Sequence, residues 1–200
     1  MSTYYENVRH DVLDYLPERN FKRALEIGGG EFGTLVSVRG SNVEYWGVDV
    51  REPAQKLSQF FLGSFTDDAV SDRLPDGSFD LIMANDVLEH IENTERFFDT
   101  VKRKLAPDGV LALSVPNARQ IRLTYQVLVR GTFPRTDAGL FDRTHLRWFC
   151  KRDVLMYLAQ HGMEAIKAKS VGRFVPSILE SSMCAEFIGL QNVFIAQHVS

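Results

Sequence analysis

The 200-residue chain is 44% hydrophobic and 24% charged, the balance of one compact domain with a full core. Its net charge of −3, with Lys and Arg scattered along the chain, lacks the basic stripe that a phosphate backbone demands, so no nucleic-acid partner is expected. No apolar run is long enough to span a bilayer, the first residues are too polar for a secretory leader, and Cys150 and Cys184 stand far apart without C-x-x-C partners; the expectation is a cytoplasmic protein with free thiols and no membrane contact.

The elements alternate. "YYENVRHDVLDYL" reads as a first helix that Pro17 terminates. "RALEIG" follows as a short apolar strand ending in glycines, then a helix from Thr34 to Arg39, the strand "VEYWGVDV", and a helix over roughly Glu52 to Phe60. "FDLIMAN" and "GVLALSVPN" are two more buried-strand runs. Between them Phe97, Phe98, Val101 and Leu105 fall on one face of a helix from Asn93 to Leu105. A helix over Gln120 to Arg130 leads into a long polar excursion ending near Arg147, and a further helix from Lys151 to His161 stops at Gly162. The runs "MEAIKAKSV" and "NVFIAQHV" have no strong helix between them, so they pair antiparallel. The pattern predicts an α/β fold: a doubly wound, mostly parallel seven-stranded sheet with an antiparallel last strand.

The stretch "ALEIGGGEFGTL" fits two cofactor loops. Gly28, Gly30 and Gly33 satisfy G-x-G-x-x-G, the pyrophosphate loop of dinucleotide enzymes; Glu26, Gly28 and Gly30 satisfy most of E-x-G-x-G-x-G, the loop of enzymes that bind S-adenosylmethionine. Both place bare backbone at a strand-to-helix turn. Glu26 separates them: an acid beside a pyrophosphate is repelled, whereas S-adenosylmethionine carries an ammonium and a sulfonium and no phosphate. No tyrosine has lysine four places on, as the short-chain reductases require, and there is no room for a separate substrate domain. Asp49, at the end of "YWGVD", suits a ribose in either reading.

Three further segments resemble one family. "FDLIMANDVLEHI" is similar to the fourth-strand motif of class I S-adenosylmethionine-dependent methyltransferases, "RKLAPDGVLALSVPN" to their helix, turn and fifth strand, and "GLFDRTHLRWFCKRDVLMYLAQHGME" to a D-R-T-H-L-R-F-F segment of bacterial members. The resemblance runs from about Tyr4 to Val199 and implies one domain over 1–200, with 118–147 as a cover on the acceptor side. It implies S-adenosyl-L-methionine as cofactor, held by Tyr5, Glu26, Gly28, Gly29, Gly30, Asp49, Val50, Ser64, Phe65, Asn85 and Asp86. Two positions depart from the pattern. Phe32 stands at the third glycine, which brings an aromatic ring beside the loop. Gly63, Ser64 and Phe65 replace the usual Gly-Asp pair, leaving Ser64, Asp67 or Asp68 for the adenine amino group and Phe65 for its face.

Methyl transfer from a sulfonium has an activated leaving group, so the protein supplies binding, alignment and exclusion of water. A hydroxyl acceptor also needs a base. His145, in the polar run "DRTH", is the first choice, with Asp86 or His90 next. Asp86 and Asn117 are the residues a metal-dependent variant would use; the sequence shows no His or Cys cluster with metal spacing, so no metal is expected. The expected function is O-methylation of a small hydroxylated acceptor such as a sugar or metabolite. A nicotinamide-dependent oxidoreductase and a catalytically silent cofactor-binding partner domain are the alternatives.

Overall fold

The computed structural model describes residues 8–172 and 175–199. The first-helix tyrosines, Tyr4 and Tyr5, lie outside these residues; what is described of that helix is α1, His10–Leu13. Seven strands form one sheet in the order β3-β2-β1-β4-β5-β7-β6: β1 Arg23–Ile27, β2 Glu44–Asp49, β3 Gln59–Leu62, β4 Phe79–Asn85, β5 Leu105–Pro116, β6 Met163–Val171 and β7 Gln191–His198. The first five pair parallel, and β7 runs antiparallel between β5 and β6. The predicted architecture is therefore the observed one.

The central strands are apolar throughout because both faces are covered. Leu25, Ile27, Ile82 and Leu111 face one layer with Phe97, Phe98 and Val101 of α4 (Thr94–Lys104); Ala24, Leu81, Met83 and Val110 face the other with Val12, Leu35 and Val38. Helix α4 starts where the Asn93 side chain accepts the Arg96 amide at 3.0 Å and ends on Lys102, Arg103 and Lys104, whose charges suit its C-terminus. Each of its three buried large side chains contributes about 1.5–3 kcal/mol of burial. Helix α6, Lys151–Gln160, gives way to Gly162, whose φ of +69° is a left-handed conformation that disfavours other residues.

Two expected helices differ. The one after the glycines, α2, is a single turn at Gly33–Val36, as is α3, Asp68–Ser71, between β3 and β4. The helix expected over Glu52 to Phe60 does not form: its last residues belong to β3. Leu57, Phe60 and Phe61 have helical spacing, but the phenylalanines pack to opposite faces of the sheet, Phe60 edge-on to Phe32 and Phe61 stacked on Trp46. Tertiary packing thus selects the two-residue period.

The β5–α6 connection contains α5, Ile121–Leu128, and an irregular return. The return is clamped to the turn after β4: the Leu146 and Arg147 amides donate to the Glu89 carbonyl at 2.8 and 3.3 Å, and the Arg147 guanidinium donates to the Ile91 and Glu92 carbonyls. Opposite it, β6 and β7 are joined through a short helix α7, Met183–Ile188, that Asn117 anchors. The Asn117 amide donates to the Glu186 and Gly189 carbonyls, while its oxygen accepts from Arg119 N and Asn192.

Candidate active site

A half-open cavity of about 440 Å³, within the usual range for small-molecule sites, lies at the carboxyl ends of β1 and β4. Of the residues expected to act there, Glu26, Gly28, Gly29, Gly30, Asn85, Asp86, His90 and His145 line it. Asp49, Val50, Ser64 and Phe65 do not.

The glycine loop forms one wall. Gly28 has φ +66°, and a Cβ there would lie 2.5 Å from a methyl of Val87, so both backbone and space require glycine. Asp49, at the end of β2, accepts the Gly30 amide at 3.0 Å and the Arg51 amide at 2.9 Å, tying the strand to the loop. Val50 beside it is 72% exposed. Phe32 takes a left-handed φ of 58°, rare for a bulky residue, and is fully buried. Its ring fills the space under the loop, next to Gly29 and Gly47, rather than the cavity. Phe65 likewise packs in the core, edge-on to Phe97, and the Ser64 hydroxyl pairs with that of Thr66 at 3.0 Å.

Polar groups facing the loop have unspent capacity. Glu26 is buried and accepts the Leu35 amide at 3.1 Å and the Asn85 side-chain amide at 3.2 Å. Burial pushes its pKa up to about 7, against those two hydrogen bonds and the nearby Arg9. The Asn85 side-chain oxygen is buried without a hydrogen-bond partner. Arg9 of the N-terminal segment crosses the cavity's edge. Its guanidinium pairs with Asp86 at 2.7 Å and Asp11 at 2.8 Å, and its amide donates to the Thr34 hydroxyl.

At the other end, a one-turn 3-10 helix, Leu88–His90, meets the return of the β5–α6 connection. From that return Gly139, Asp142, Thr144 and His145 line the cavity. The ring of His145 is buried and lies edge-on to that of His90, with centroids 4.9 Å apart. Burial, then the neighbouring His90, pushes the His145 pKa down, and Asp142 opposes them; the imidazole is therefore neutral at pH 7. His145 Nε2 stands 3.9 Å from Oε1 of Glu89. Glu89 is 1% exposed, and its pKa lies well above the usual carboxylate range because of burial and then the charge of Asp86. Asp142 accepts the Thr144 amide and hydroxyl, shaping the loop, and Trp148 donates its indole N–H to Leu140 O.

Arg9 and Glu89 line the cavity without being singled out by the sequence. The signal for Glu89 is its place in the "LEH" tripeptide; Arg9 has none, because its partner Asp86 is 77 positions away. Asn117, considered beside Asp86 for a metal, is buried and spends its side chain on α7 and β7 instead. Among the described residues, one group does have the makings of a metal site: ligand atoms of Glu89, His90 and His145 lie within 4.8 Å of one another.

Comparison with known proteins agrees with this layout. A family model described as a methyltransferase domain matches residues 2–167. Malonyl-[acyl-carrier protein] O-methyltransferase of Geobacter sulfurreducens is 29% identical over 97 residues, which is 47% of this chain; the match spans only 34% of that protein's length. Among solved structures, a SAM-dependent methyltransferase from Archaeoglobus fulgidus has TM-score 0.64 at 16% identity, covering 88% of this chain and 85% of its own. The 1,6-didemethyltoxoflavin-N1-methyltransferase of Burkholderia thailandensis, solved with its substrate and S-adenosylhomocysteine, has TM-score 0.61 at 15% identity, covering 91% and 72%. The chain belongs to the methyltransferase-domain family and has the class I fold of its S-adenosylmethionine-dependent members.

Proposed function

We propose that the chain transfers the methyl group of S-adenosylmethionine to the hydroxyl oxygen of a small acceptor such as a sugar or metabolite. The observation that supports this most is the polarity of this cavity: acid and amide acceptors beside a bare glycine loop at one end, a carboxyl group with two imidazoles at the other.

The residues present fit the cofactor. The orphaned Asn85 oxygen and the Glu26 carboxyl suit its ammonium, and Arg9 with the loop backbone suits its carboxylate. Asp49 suits the ribose hydroxyls, with Val50 and Ser64 on the adenine side, whereas Phe65, expected there, is packed against Phe97 in the core. The cofactor supplies the sulfonium-activated methyl group. The chain's own work is to hold the acceptor in line, exclude water and remove the hydroxyl proton. Proton removal falls to the far end, where His145, Asp86 and His90 stand. The relative from Geobacter sulfurreducens is also an O-methyltransferase by name, which supports transfer to oxygen.

The test is formation of S-adenosylhomocysteine across a panel of sugars, phenols, carboxylic acids and amines. Turnover with hydroxylated acceptors is expected. Turnover confined to amines would reassign the acceptor atom to nitrogen, turnover confined to carboxylic acids would keep oxygen but replace the hydroxyl as the acceptor group, and cofactor binding without turnover on any of them would favour a silent partner domain.

A further inference from the structure

We propose that Glu89, His90 and His145 bind a divalent cation of the first transition row, of the Zn²⁺, Co²⁺ and Mn²⁺ class, at the acceptor end of the cavity. The cation site itself follows from these three side chains; its role toward an acceptor hydroxyl rests on the O-methyltransferase reading.

Geometry comes first. Cation bonds of about 2.0–2.2 Å place neighbouring ligand atoms about 3.4 Å apart. Here one ligand atom of each residue lies within 4.8 Å of the other two, and Glu89 Oε1 stands 3.9 Å from His145 Nε2, so small side-chain rotations close the site. The backbone beneath is held for this. Glu89 and His90 are adjacent on one 3-10 turn, and the loop that delivers His145 is fastened to the Glu89 carbonyl through the Leu146 amide at 2.8 Å.

The second observation is an unsatisfied group. Glu89 is 99% buried, and neither of its carboxylate oxygens has a hydrogen-bond partner. Such a group is costly unless something compensates it. The nearby guanidinium of Arg9 is engaged by the Asp86 and Asp11 carboxylates, and His145 Nε2 stands 3.9 Å from Glu89 Oε1. A cation would take the carboxylate's charge and both histidine lone pairs together.

His90 supplies a third. Its Nδ1 lies 3.2 Å from the Thr144 carbonyl oxygen, and a carbonyl only accepts, so that nitrogen carries the hydrogen and the lone pair is on Nε2. Histidine ligands are oriented in this way, by donating the other ring nitrogen to a carbonyl or carboxylate. Two imidazoles and one carboxylate favour the borderline cations over Mg²⁺ or Ca²⁺, which prefer oxygen ligands throughout.

Three protein ligands leave coordination positions open to the cavity. A hydroxyl oxygen of an acceptor bound there loses its proton more readily. The balance is then simple: the O–H bond breaks with its proton passing to solvent, the O–CH3 bond forms, the S–CH3 bond breaks, and the sulfonium leaves as a neutral thioether. With the cation bound, His145 and His90 are its ligands, and solvent takes the proton in place of the base role proposed above for those two side chains.

The test uses the full chain freed of metal by a chelator and titrated with Co²⁺, whose visible absorption intensifies in sites of low coordination number. One equivalent is expected to bind per chain, and Zn²⁺ to displace it and raise the melting temperature more than Mg²⁺ does. His90 is exposed, so His90→Ala leaves the core intact; it should weaken Co²⁺ binding at least about tenfold, as should Glu89→Gln with its fold checked by circular dichroism. His161→Ala, which removes a histidine near Glu95 and Asp99 instead, should leave binding unchanged. No Co²⁺ binding, or equal binding in wild type and His90→Ala, would overturn the site. Calorimetry with S-adenosylhomocysteine on the metal-free chain separates the two readings: cofactor binding with no Co²⁺ binding rejects the cation alone, and Co²⁺ binding with no cofactor binding rejects the methyltransferase reading of the cavity.

Discussion

The burial of Glu26 couples stability to pH and, in the proposed cofactor site, would couple affinity to it as well. Its folded pKa of about 7 lies above the ordinary value of 4.5, so the folded state holds the proton more tightly than the unfolded chain. Stability should therefore fall as pH rises from about 4.5 to about 7, by about 3 kcal/mol for this group. Urea unfolding at pH 5 and pH 8 checks this, and Glu26→Gln should lose that share of the difference. An ammonium placed beside Glu26 favours the charged form, with Arg9 and Asp49 the other charges acting on it. Cofactor affinity should then rise about tenfold between pH 6 and pH 8 in wild type, following ionisation at a pKa of about 7, and stay nearly flat in Glu26→Gln. Calorimetry across that range would show it; parallel profiles for the two proteins would remove Glu26 from the cofactor site.

At the level of elements, the site depends on how the β5–α6 connection is fastened. Arg147 links the end of that connection to the carbonyls of Ile91 and Glu92, just past the "LEH" turn. Arg147→Ala should lower turnover about tenfold or more once an acceptor is known, with cofactor affinity nearly unchanged, because the loop aligns the reacting groups without touching the glycine loop. Equal losses in turnover and cofactor affinity would mean that the connection supports the whole cavity. On the opposite side Asn117 holds the α7 end with two hydrogen bonds, to the Glu186 and Gly189 carbonyls, while its oxygen accepts from Arg119 N and from Asn192 of β7. Asn117→Ala should cost about 2–4 kcal/mol in denaturant unfolding, since it leaves buried carbonyls unpaired; a loss under about 1 kcal/mol would show that the α7 contact is peripheral. Elements defined by one strong period were legible in the sequence: the interior strands, α4 and the β6–β7 pair. The span from Glu52 to Phe60 was not, because Leu57, Phe60 and Phe61 satisfy helical spacing while Trp46 and Phe32 draw the two rings to opposite faces of the sheet. Glu89 is not legible for a similar reason: its relation to His145 exists only after the loop has folded back.

Across the whole molecule, the parallel sheet brings the glycine loop and the end of β4 to one edge, and the chain beyond β5 closes over that edge. The glycine loop, Asn85 and Asp86 could be read from their motifs, whereas Arg9 reaches the cavity from the N-terminal segment through a pairing that no local pattern announces. This edge is where S-adenosylmethionine is proposed to bind. Calorimetric titration with S-adenosylhomocysteine, run beside NADH on wild type and Asp49→Ala, tests it most directly. S-adenosylhomocysteine should bind wild type in the micromolar range, NADH should not bind, and Asp49→Ala should weaken binding at least about tenfold, since hydrogen bonds to a charged group are worth about 1.5–3 kcal/mol each. Binding of NADH in place of S-adenosylhomocysteine, or equal affinity in the variant, would contradict it.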